Sequence, residues 1–364
     1  MALGLVVVGL GDVGSSLVAG VEAARAHLVH PWGSLVEAGG AGRGPEHCAA
    51  PAIRDRAPLA GLRDLVLGAF ELREDDAYRA AVRAGLLSRS VLDELRPQLR
   101  QIRAMSGARH APTRRHLADA LAEELRGFLE HGGCPRGILV CTTPGLRELA
   151  GKPPFTAAET WSALEEGGPD VTPGLVYAAA AAQAGWGFVA TAQDAALQAP
   201  GVSALFAEAG QPVAGVGLVS PEAVLREALA QVLGAEALGM VGATSLSTRV
   251  EERGARLWGG PDRTQEMALA SAWAGGAFEL SIELRGEIAL HLAARALDAA
   301  LLLDLAARAG RSGAQDWMNA FFAEPIAQVA PREAKRKTLA ERRALMNAEI
   351  PALAAAASES SEAA

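Results

Sequence analysis

Short apolar runs rich in Val, Leu and Gly alternate along this chain with longer stretches in which Ala and Leu recur at helical spacing. Such alternation is typical of parallel strands joined by crossover helices. The predicted strands span residues 3–9, 64–70, 137–142, 187–190 and 212–216. Helices are predicted between them, at 76–85 and 116–131 among others. The pattern therefore predicts an α/β fold with a doubly wound parallel sheet of the Rossmann type.

The pattern changes between residues 239 and 284. Phe278, Leu280, Ile282 and Leu284 alternate with polar or small residues there, as in a strand with one apolar face. A long apolar helix is predicted at 287–309, and we expect it to lead back to the first sheet. The chain should thus form a discontinuous Rossmann domain, residues 1–214 and 286–330, with an inserted smaller α/β domain, residues 215–285, that carries an open sheet.

The C-terminal segment, residues 331–364, is predicted to begin as a basic helix and to end in a disordered tail. Residues 354–364 consist only of Ala, Ser and Glu. A stretch with so few bulky apolar side chains is not expected to bury itself.

Composition and charge exclude several classes of partner. Half of the 364 residues are hydrophobic and the formal net charge is −8. We therefore expect a globular chain that binds neither nucleic acid nor an anionic membrane surface. The apolar helix at 287–309 contains Arg295, Asp298 and Asp304, which a membrane span tolerates poorly.

The cysteines indicate neither a disulfide framework nor a metal centre. Cys48, Cys134 and Cys141 form no CxxC pair and have no His at metal-ligand spacing. The apolar N-terminus has no basic region before it and leads into a glycine motif rather than a cleavage site. These features predict a cytoplasmic protein without a metal site.

A glycine motif directly follows the first predicted strand. Gly9, Gly11 and Gly14 form a G-x-G-x-x-G pattern, and the residues after it suit a helix. In a dinucleotide site the first glycine permits a tight turn, the second lets the backbone approach a pyrophosphate, and the third lets the helix pack closely on the strand. The candidate cofactor-binding residues here are Gly9, Gly11, Asp12, Val13, Gly14 and Ser15. The alternative is a Rossmann turn that is retained without binding a nucleotide.

In such sites an Asp or Glu about twenty residues after the glycine motif, at the end of the second strand, binds the ribose hydroxyls. No strand that ends in an acidic residue is predicted at that distance here. Glu37 falls in a Gly- and Pro-rich stretch and is a poor candidate. Glu71 directly follows the strand at 64–70 and is a better one, and Asp75 or Asp76 could assist it. The alternative is that these acids cap the helix that begins near Asp76.

Several stretches together resemble the myo-inositol-1-phosphate synthase family, over most of residues 3–325. In order and spacing the resemblance rests on the glycine motif and on Pro31-Trp32-Gly33-Ser34-Leu35, residues 64–72, Asp75-Asp76-Ala77-Tyr78 and Ile102-Arg103-Ala104-Met105. Val140-Cys141-Thr142-Thr143 stands where the family has a strand that ends in Ser-Thr-Glu. This match adds Thr142 to the candidate cofactor-binding residues.

The resemblance implies NAD as the cofactor and an isomerisation of glucose 6-phosphate to inositol 1-phosphate without net redox. In that reaction hydride leaves and returns, and an intermediate ketone is enolised and closes on its own aldehyde. These steps require a proton shuttle and cationic groups, which in the family are largely lysines. The resemblance also implies a homo-oligomer, a dimer or a tetramer, assembled through the inserted sheet.

The chain departs from the family at every expected lysine. Residues 215–222 stand where the family carries Asp-Asp-Phe-Lys-Ser-Gly-Gln after its glycine, and residues 322–325 replace its Phe-Lys-Ser-Pro segment. Residues 242–246 replace its Gly-Asn-Asn-Asp-Gly loop. The chain's own lysines, Lys152, Lys335 and Lys337, are not expected to substitute for them.

Four arginines fall in the region where the family places substrate-binding lysines: Arg249, Arg253, Arg256 and Arg263. An arginine can hold a phosphate with two hydrogen bonds, but it is always charged and so does not readily act as a general acid and base. The alternative is a solvated charged face. His110, His116 and His291 are isolated in the sequence, so no catalytic residue is assigned.

Three hypotheses follow from the sequence. The first is an NAD-dependent enzyme of a sugar phosphate, with the ordinary glucose 6-phosphate reaction lost or altered. The second is a non-catalytic relative that binds NAD or only keeps the scaffold and acts through protein contacts. A simple dehydrogenase comes last, because no motif places a His or Lys beside an acid.

Overall fold

The computed structural model describes residues 2–39, 51–106, 111–235, 239–249, 262–271, 276–326 and 337–362. The strands are β1 Leu3–Val8, β2 Leu65–Glu71, β3 Ala104–Ser106, β4 Gly137–Cys141, β5 Gly187–Ala190, β6 Pro212–Gly215, β7 Gly239–Arg249, β8 Asp262–Ser271, β9 Ala277–Gly286 and β10 Gly313–Ala314. The helices are α1 Asp12–Arg25, α2 Ala77–Ala84, α3 Arg89–Glu94, α4 Arg96–Gln101, α5 Arg114–Gly132, α6 Ala157–Glu166, α7 Pro173–Ala184, α8 Pro200–Glu208, α9 Pro221–Ala235, α10 Ile288–Arg308 and α11 Leu339–Glu362.

The larger sheet has seven parallel strands in the order β10-β6-β5-β4-β1-β2-β3. The chain moves outwards from β1 in one direction through β2 and β3, and in the other direction from β4 onwards. The strand order therefore reverses between β1 and β4, and the carboxyl ends of strands at such a point border a crevice. The α/β, doubly wound Rossmann fold predicted from the sequence is confirmed.

Two apolar layers cover the two faces of this sheet. Successive residues of β1 alternate between them, with Leu5 and Val7 in one cluster and Val6 and Val8 in the other. The first cluster includes buried residues of α1, α2, α10 and α11, and the second includes those of α5, α7 and α8. The sheet is therefore buried on both faces, which explains why β1, β4, β5 and β6 carry no charged or amide side chains.

A separate antiparallel sheet has the order β7-β8-β9. On β9, Leu280, Ile282 and Leu284 are half-buried while Glu279 and Ser281 are exposed, as the alternation predicts. After this sheet the chain returns through α10 to β10, which pairs with β6 in the larger sheet. The exact domain boundaries stay a prediction.

The C-terminal segment corrects the sequence-based expectation of disorder. Helix α11 begins at Leu339 and continues to Glu362, through most of the Ala, Ser and Glu stretch. Leu353 and Ala357 are buried in the same cluster as residues of α10. Alanine is the strongest helix former, and its small side chain lets the helix pack closely, so few bulky residues were needed. Among the described helices, none is long and apolar enough to cross a membrane.

A buried carboxylate joins α10 to the loop after α1. Asp298 is fully buried and accepts hydrogen bonds from the Ser34 hydroxyl at 2.5 Å and from the Leu35 and Val36 N–H groups at 2.7 and 3.2 Å. Burial raises the pKa of Asp298 to about 6, and these hydrogen bonds oppose that shift. One side chain thus organises the turn that follows Pro31.

Replacing Asp298 should test this organisation. We expect Asp298→Ala to lower the free energy of unfolding by about 3 kcal/mol or more, because it leaves three buried donors without an acceptor. Asp298→Asn keeps one acceptor oxygen and the volume, so its loss should be smaller. Urea denaturation measures both, and a loss below about 1 kcal/mol for the alanine variant would contradict the assignment.

Candidate cofactor site

The glycine loop runs from the end of β1 into α1. Gly9 has a φ of +90°, and a Cβ atom there would lie 2.9 Å from the Thr143 hydroxyl oxygen. A Cβ on Gly14 would lie 2.0 Å from the carbonyl oxygen of Gly9 and 3.0 Å from Cγ1 of Val7. Both positions therefore need glycine, the first for its turn and the second because helix and strand almost touch.

At Gly11 neither the backbone nor the neighbouring atoms require glycine. No atom lies within 4 Å of the place where its Cβ would be, and its φ of −72° suits any residue. The space beside Gly11 is open and faces a cavity, as it should be where a ligand approaches the backbone. Gly11 is also the N-cap residue of α1, and it has no side chain that could cap the helix. The N-terminal end of α1, with the first-turn N–H groups of Asp12 and Val13, therefore lies beside this open space.

Two of the residues predicted to bind the cofactor, Thr142 and Ser15, have hydroxyl groups that hold the loop. The Thr142 hydroxyl oxygen lies 2.9 Å from the carbonyl oxygens of both Val8 and Gly9. The buried Ser15 hydroxyl donates to the carbonyl of Gly11 at 2.7 Å. In this structure Thr142 and Ser15 therefore position the glycine loop through its backbone.

The acidic candidates have separate roles. The Glu71 carboxylate accepts hydrogen bonds from the N–H groups of Leu10, in the glycine loop, and of Leu72, each at 2.8 Å. Asp76 caps α2 by accepting from the Arg79 N–H at 2.8 Å, while Asp75 forms an ion pair with Arg83. Glu37 pairs with Arg54. The capping alternative thus holds for Asp76, and Glu71 is the acid at the loop.

A cavity of about 510 Å³ opens at the carboxyl ends of β1, β2 and β4, and we call it the switch cavity. Its lining includes Gly9, Gly11, Glu71, Thr142, Thr143, Arg114, Pro173 and Tyr177. It lies where the strand order reverses, the position at which doubly wound sheets bind dinucleotides. Burial raises the pKa of the Tyr177 hydroxyl, so this residue is neutral at physiological pH.

Sequence reasoning did not select Arg114 and Tyr177 as site residues, and they line the switch cavity from α5 and α7. Arg114 is exposed and stands at the start of its helix, where an arginine has no special spacing to the glycine motif. Tyr177 lies within an apolar helix whose pattern indicates only core packing. Both residues became candidates through the fold alone.

The two segments that replace lysine-bearing motifs lie side by side. Val219 N–H donates to the carbonyl of Phe321 at 2.8 Å, and Ala323 N–H donates to that of Gly217 at 2.7 Å. By the resemblance described above, counted from Gly215 and from Phe322, Val219 and Ala323 stand where the family has lysine. The structure therefore brings these two positions together and leaves them without a charge.

The remaining basic candidates are scattered over the described residues. Arg249 and Arg263 lie at the adjoining ends of β7 and β8, where Arg249 is in register with Asp262. His116 is exposed, with its ring 2.8 Å from the Thr113 hydroxyl that caps α5, which is a structural role. Lys152 lies 5.2 Å from the centre of the Phe155 ring. Arg253, Arg256, His110 and Lys335, as well as Cys48, lie outside the described residues.

Within the part of the chain that the structure describes, no group of three or more His, Cys, Asp or Glu side chains is placed to hold a metal ion. Cys134 and Cys141 are buried free thiols. Burial raises the pKa of Cys141 to about 12, which makes it a poor nucleophile.

Comparison with known proteins identifies a family to which this chain is similar. A family model described as myo-inositol-1-phosphate synthase, a type of NAD-binding domain, matches residues 3–348. An inositol-3-phosphate synthase of Bacteroides thetaiotaomicron is 24% identical over 386 aligned residues, which cover 89% of each chain. The Rossmann unit is therefore an NAD-binding one, and the loop, the open space at Gly11 and the switch cavity all fit that cofactor.

Solved structures show the same fold. Inositol-3-phosphate synthase from Caenorhabditis elegans superposes with a TM-score of 0.81 at 15% identity, over 97% of this chain and 86% of that one. A myo-inositol-1-phosphate synthase-related protein from Thermotoga maritima gives a TM-score of 0.70 at 16% identity, over 96% and 98% of the two chains. These likenesses show the fold.

The contact between Gly14 and Gly9 can be tested on a single helix. We expect Gly14→Ala to lower the free energy of unfolding by about 3 kcal/mol, because its methyl group would displace α1 from β1. Gly20→Ala is the matched control, since no atom lies within 4 Å of its Cβ position, and it should be neutral or stabilising by up to about 1 kcal/mol. Equal free energies of unfolding for the two variants in urea denaturation would show that the contact at Gly14 does not restrict the packing of α1 on β1.

Proposed function

Because the chain belongs to the myo-inositol-1-phosphate synthase family, we propose that it binds NAD in the switch cavity and converts a sugar phosphate in a reaction altered from the ordinary cyclisation of glucose 6-phosphate. One observation carries this proposal. The glycine loop has all three glycines and the close contact at Gly14, whereas Val219 and Ala323, on two neighbouring hydrogen-bonded segments, stand where the family has lysine.

The chain's own residues account for the cofactor side of the proposal. The open space at Gly11 and the first turn of α1 receive the pyrophosphate, and Glu71 accepts hydrogen bonds from ribose hydroxyls. A carboxylate at this position also disfavours a 2′-phosphate, so we infer a preference for NAD over NADP. When bound, NAD supplies a hydride acceptor that can later return the hydride.

The substrate side is where the chain differs. Neither Val219 nor Ala323 can hold a proton or stabilise a developing oxyanion. Removing one electrostatic stabiliser typically costs a hundredfold or more in rate, and here two adjacent positions have lost it. The ordinary reaction should therefore be absent or very slow, which favours a different sugar phosphate or a shortened reaction sequence.

The alternative is a non-catalytic protein that keeps NAD binding and acts through protein contacts. The same apolar replacements favour it, because a chain released from catalysis has no need of cations at these positions. The two functions differ in one observable. An enzyme must reduce bound NAD with at least one sugar phosphate, and a non-catalytic relative reduces it with none.

We also propose that the protein forms a homo-oligomer, a dimer or a tetramer, through the sheet of β7, β8 and β9. The half-buried apolar positions Leu280, Ile282 and Leu284 on β9 support this, because packing a second subunit against the apolar face of an open sheet removes that face from water.

The cofactor assignment is tested by titrating NAD calorimetrically into the protein and its Gly11→Val variant. The valine fits the fold but fills the space that the pyrophosphate would occupy, so NAD affinity should fall at least about tenfold with an unchanged thermal midpoint. Gly127→Val on α5, also free of neighbours within 4 Å, is the control and should bind like the parent. Equal NAD affinity in both variants would place the cofactor elsewhere.

The altered reaction is tested by supplying NAD and glucose 6-phosphate and measuring inositol phosphate formed. We expect a rate at least about a hundredfold below that of the Bacteroides thetaiotaomicron relative assayed in parallel, because the cationic positions are lost. A comparable rate would refute the proposal. A series of other sugar phosphates, followed by NADH fluorescence, then separates an altered enzyme from a non-catalytic protein.

A further inference from the structure

A second cavity lies away from the glycine loop. It has a volume of about 160 Å³, and its lining includes His291 and Arg295 of α10, Arg343 and Met346 of α11, and Val219 and Phe321. We call it the arginine cavity. Its walls are otherwise apolar, so the charges that face it are weakly screened.

Arg295 is the more buried of the two arginines. Its side chain is only 17% exposed, and its nearest carboxylate oxygen, on Asp298, is 3.6 Å away. The oxygens of Asp298 already accept from Ser34, Leu35 and Val36. Asp298 therefore offsets the charge of Arg295 from a distance but leaves the guanidinium N–H groups without a hydrogen bond in the described part of the chain.

Arg343 brings a second positive charge to the same cavity. It forms no hydrogen bond or ion pair within the described residues, and it is an exposed residue that lines the cavity. Burial lowers the pKa of Arg295, and the nearby charge of Arg343 lowers it further. Two cations that repel each other across a cavity are stabilised by an anion between them.

The ligand chemistry follows from these groups. Arginine presents a planar set of N–H donors that matches phosphate and carboxylate oxygens. His291 adds a ring nitrogen, and burial lowers its pKa while Glu222 opposes that shift, so the imidazole can donate one neutral N–H. A cavity of roughly 150 Å³ holds a molecule as large as benzene, so a phosphate group with a few carbon atoms fits.

We propose that the arginine cavity is an oxyanion site that binds the phosphate group of a small phosphorylated ligand, with Arg295 and Arg343 as its binding residues. Val219, at a lysine position of the family, forms part of its wall, so the positive charge that this region lost is supplied again from α10 and α11. That the ligand is the substrate rests on the proposed function. The oxyanion site itself does not.

The probe is inorganic phosphate, titrated calorimetrically into the full chain at saturating NAD so that the glycine loop is filled. Arg343→Gln should weaken phosphate binding by about tenfold or more, because hydrogen bonds to a charged group are lost. Arg79→Gln on α2 makes the same change of charge at an exposed position outside the cavity and should bind phosphate like the parent. Arg343 has no hydrogen-bond or ion-pair partner among the described residues, so the variant should keep its thermal midpoint without phosphate and lose the rise that phosphate gives the parent.

Two results would overturn the proposal: no phosphate binding by the parent, or equal weakening in both variants, which would indicate a general effect of net charge. Titrating NAD into Arg343→Gln separates this site from the proposed function. Unchanged NAD affinity with lost phosphate binding supports two independent sites. If the parent bound phosphate through Arg343 but did not bind NAD, the oxyanion site would stand and the cofactor proposal would fall.

Discussion

The approach of α1 to the end of β1 is the constraint on which the cofactor site depends. A Cβ atom at Gly14 would lie 2.0 Å from the Gly9 carbonyl oxygen, so helix and turn are closer than any other residue allows. Thr142 fixes the same turn from β4 through the carbonyls of Val8 and Gly9, and Glu71 fixes it from β2 through the Leu10 N–H. Three strands thereby hold one loop, and the helix N-terminus points into the switch cavity as a consequence.

This arrangement explains which parts of the site the sequence could predict. The glycine motif is local: its function depends on spacing within six residues and on the strand before it, so both fold and loop were predictable. The acid was harder, because Glu71 lies far from the motif in sequence and reaches it only through the pairing of β2 with β1. Thr142 and Ser15 were predicted to bind the cofactor, and the structure adds a role that no pattern of residue types indicates, because their hydroxyls bind the backbone of the loop.

The strands at the two edges of the sheet and the last helix were not predictable for related reasons. β3 and β10 contain three and two residues, too few for any periodicity. α11 was predicted to end in disorder because its composition lacks bulky apolar residues, but Leu353 and Ala357 need only a small surface, which α10 provides. The arginine cavity depends on that packing, since Arg295 and Arg343 are distant in sequence and meet only when α11 covers α10.

The kind of cation that remains also limits the chemistry. A lysine can both hold a negative charge and exchange a proton, because burial brings its pKa towards neutrality, whereas an arginine stays charged and can only bind. The positions of Val219 and Ala323 have lost both abilities, and Arg295 with Arg343 can restore only the first. Among the described residues that line the arginine cavity, His291 is the one that can change its charge near neutral pH, and burial lowers its pKa and so favours the neutral form that accepts a proton. A site with fixed charges and one neutral base suits the binding of a phosphorylated ligand more readily than a reaction with several lysine-mediated proton transfers, which is why we propose an altered reaction rather than the family's ordinary one.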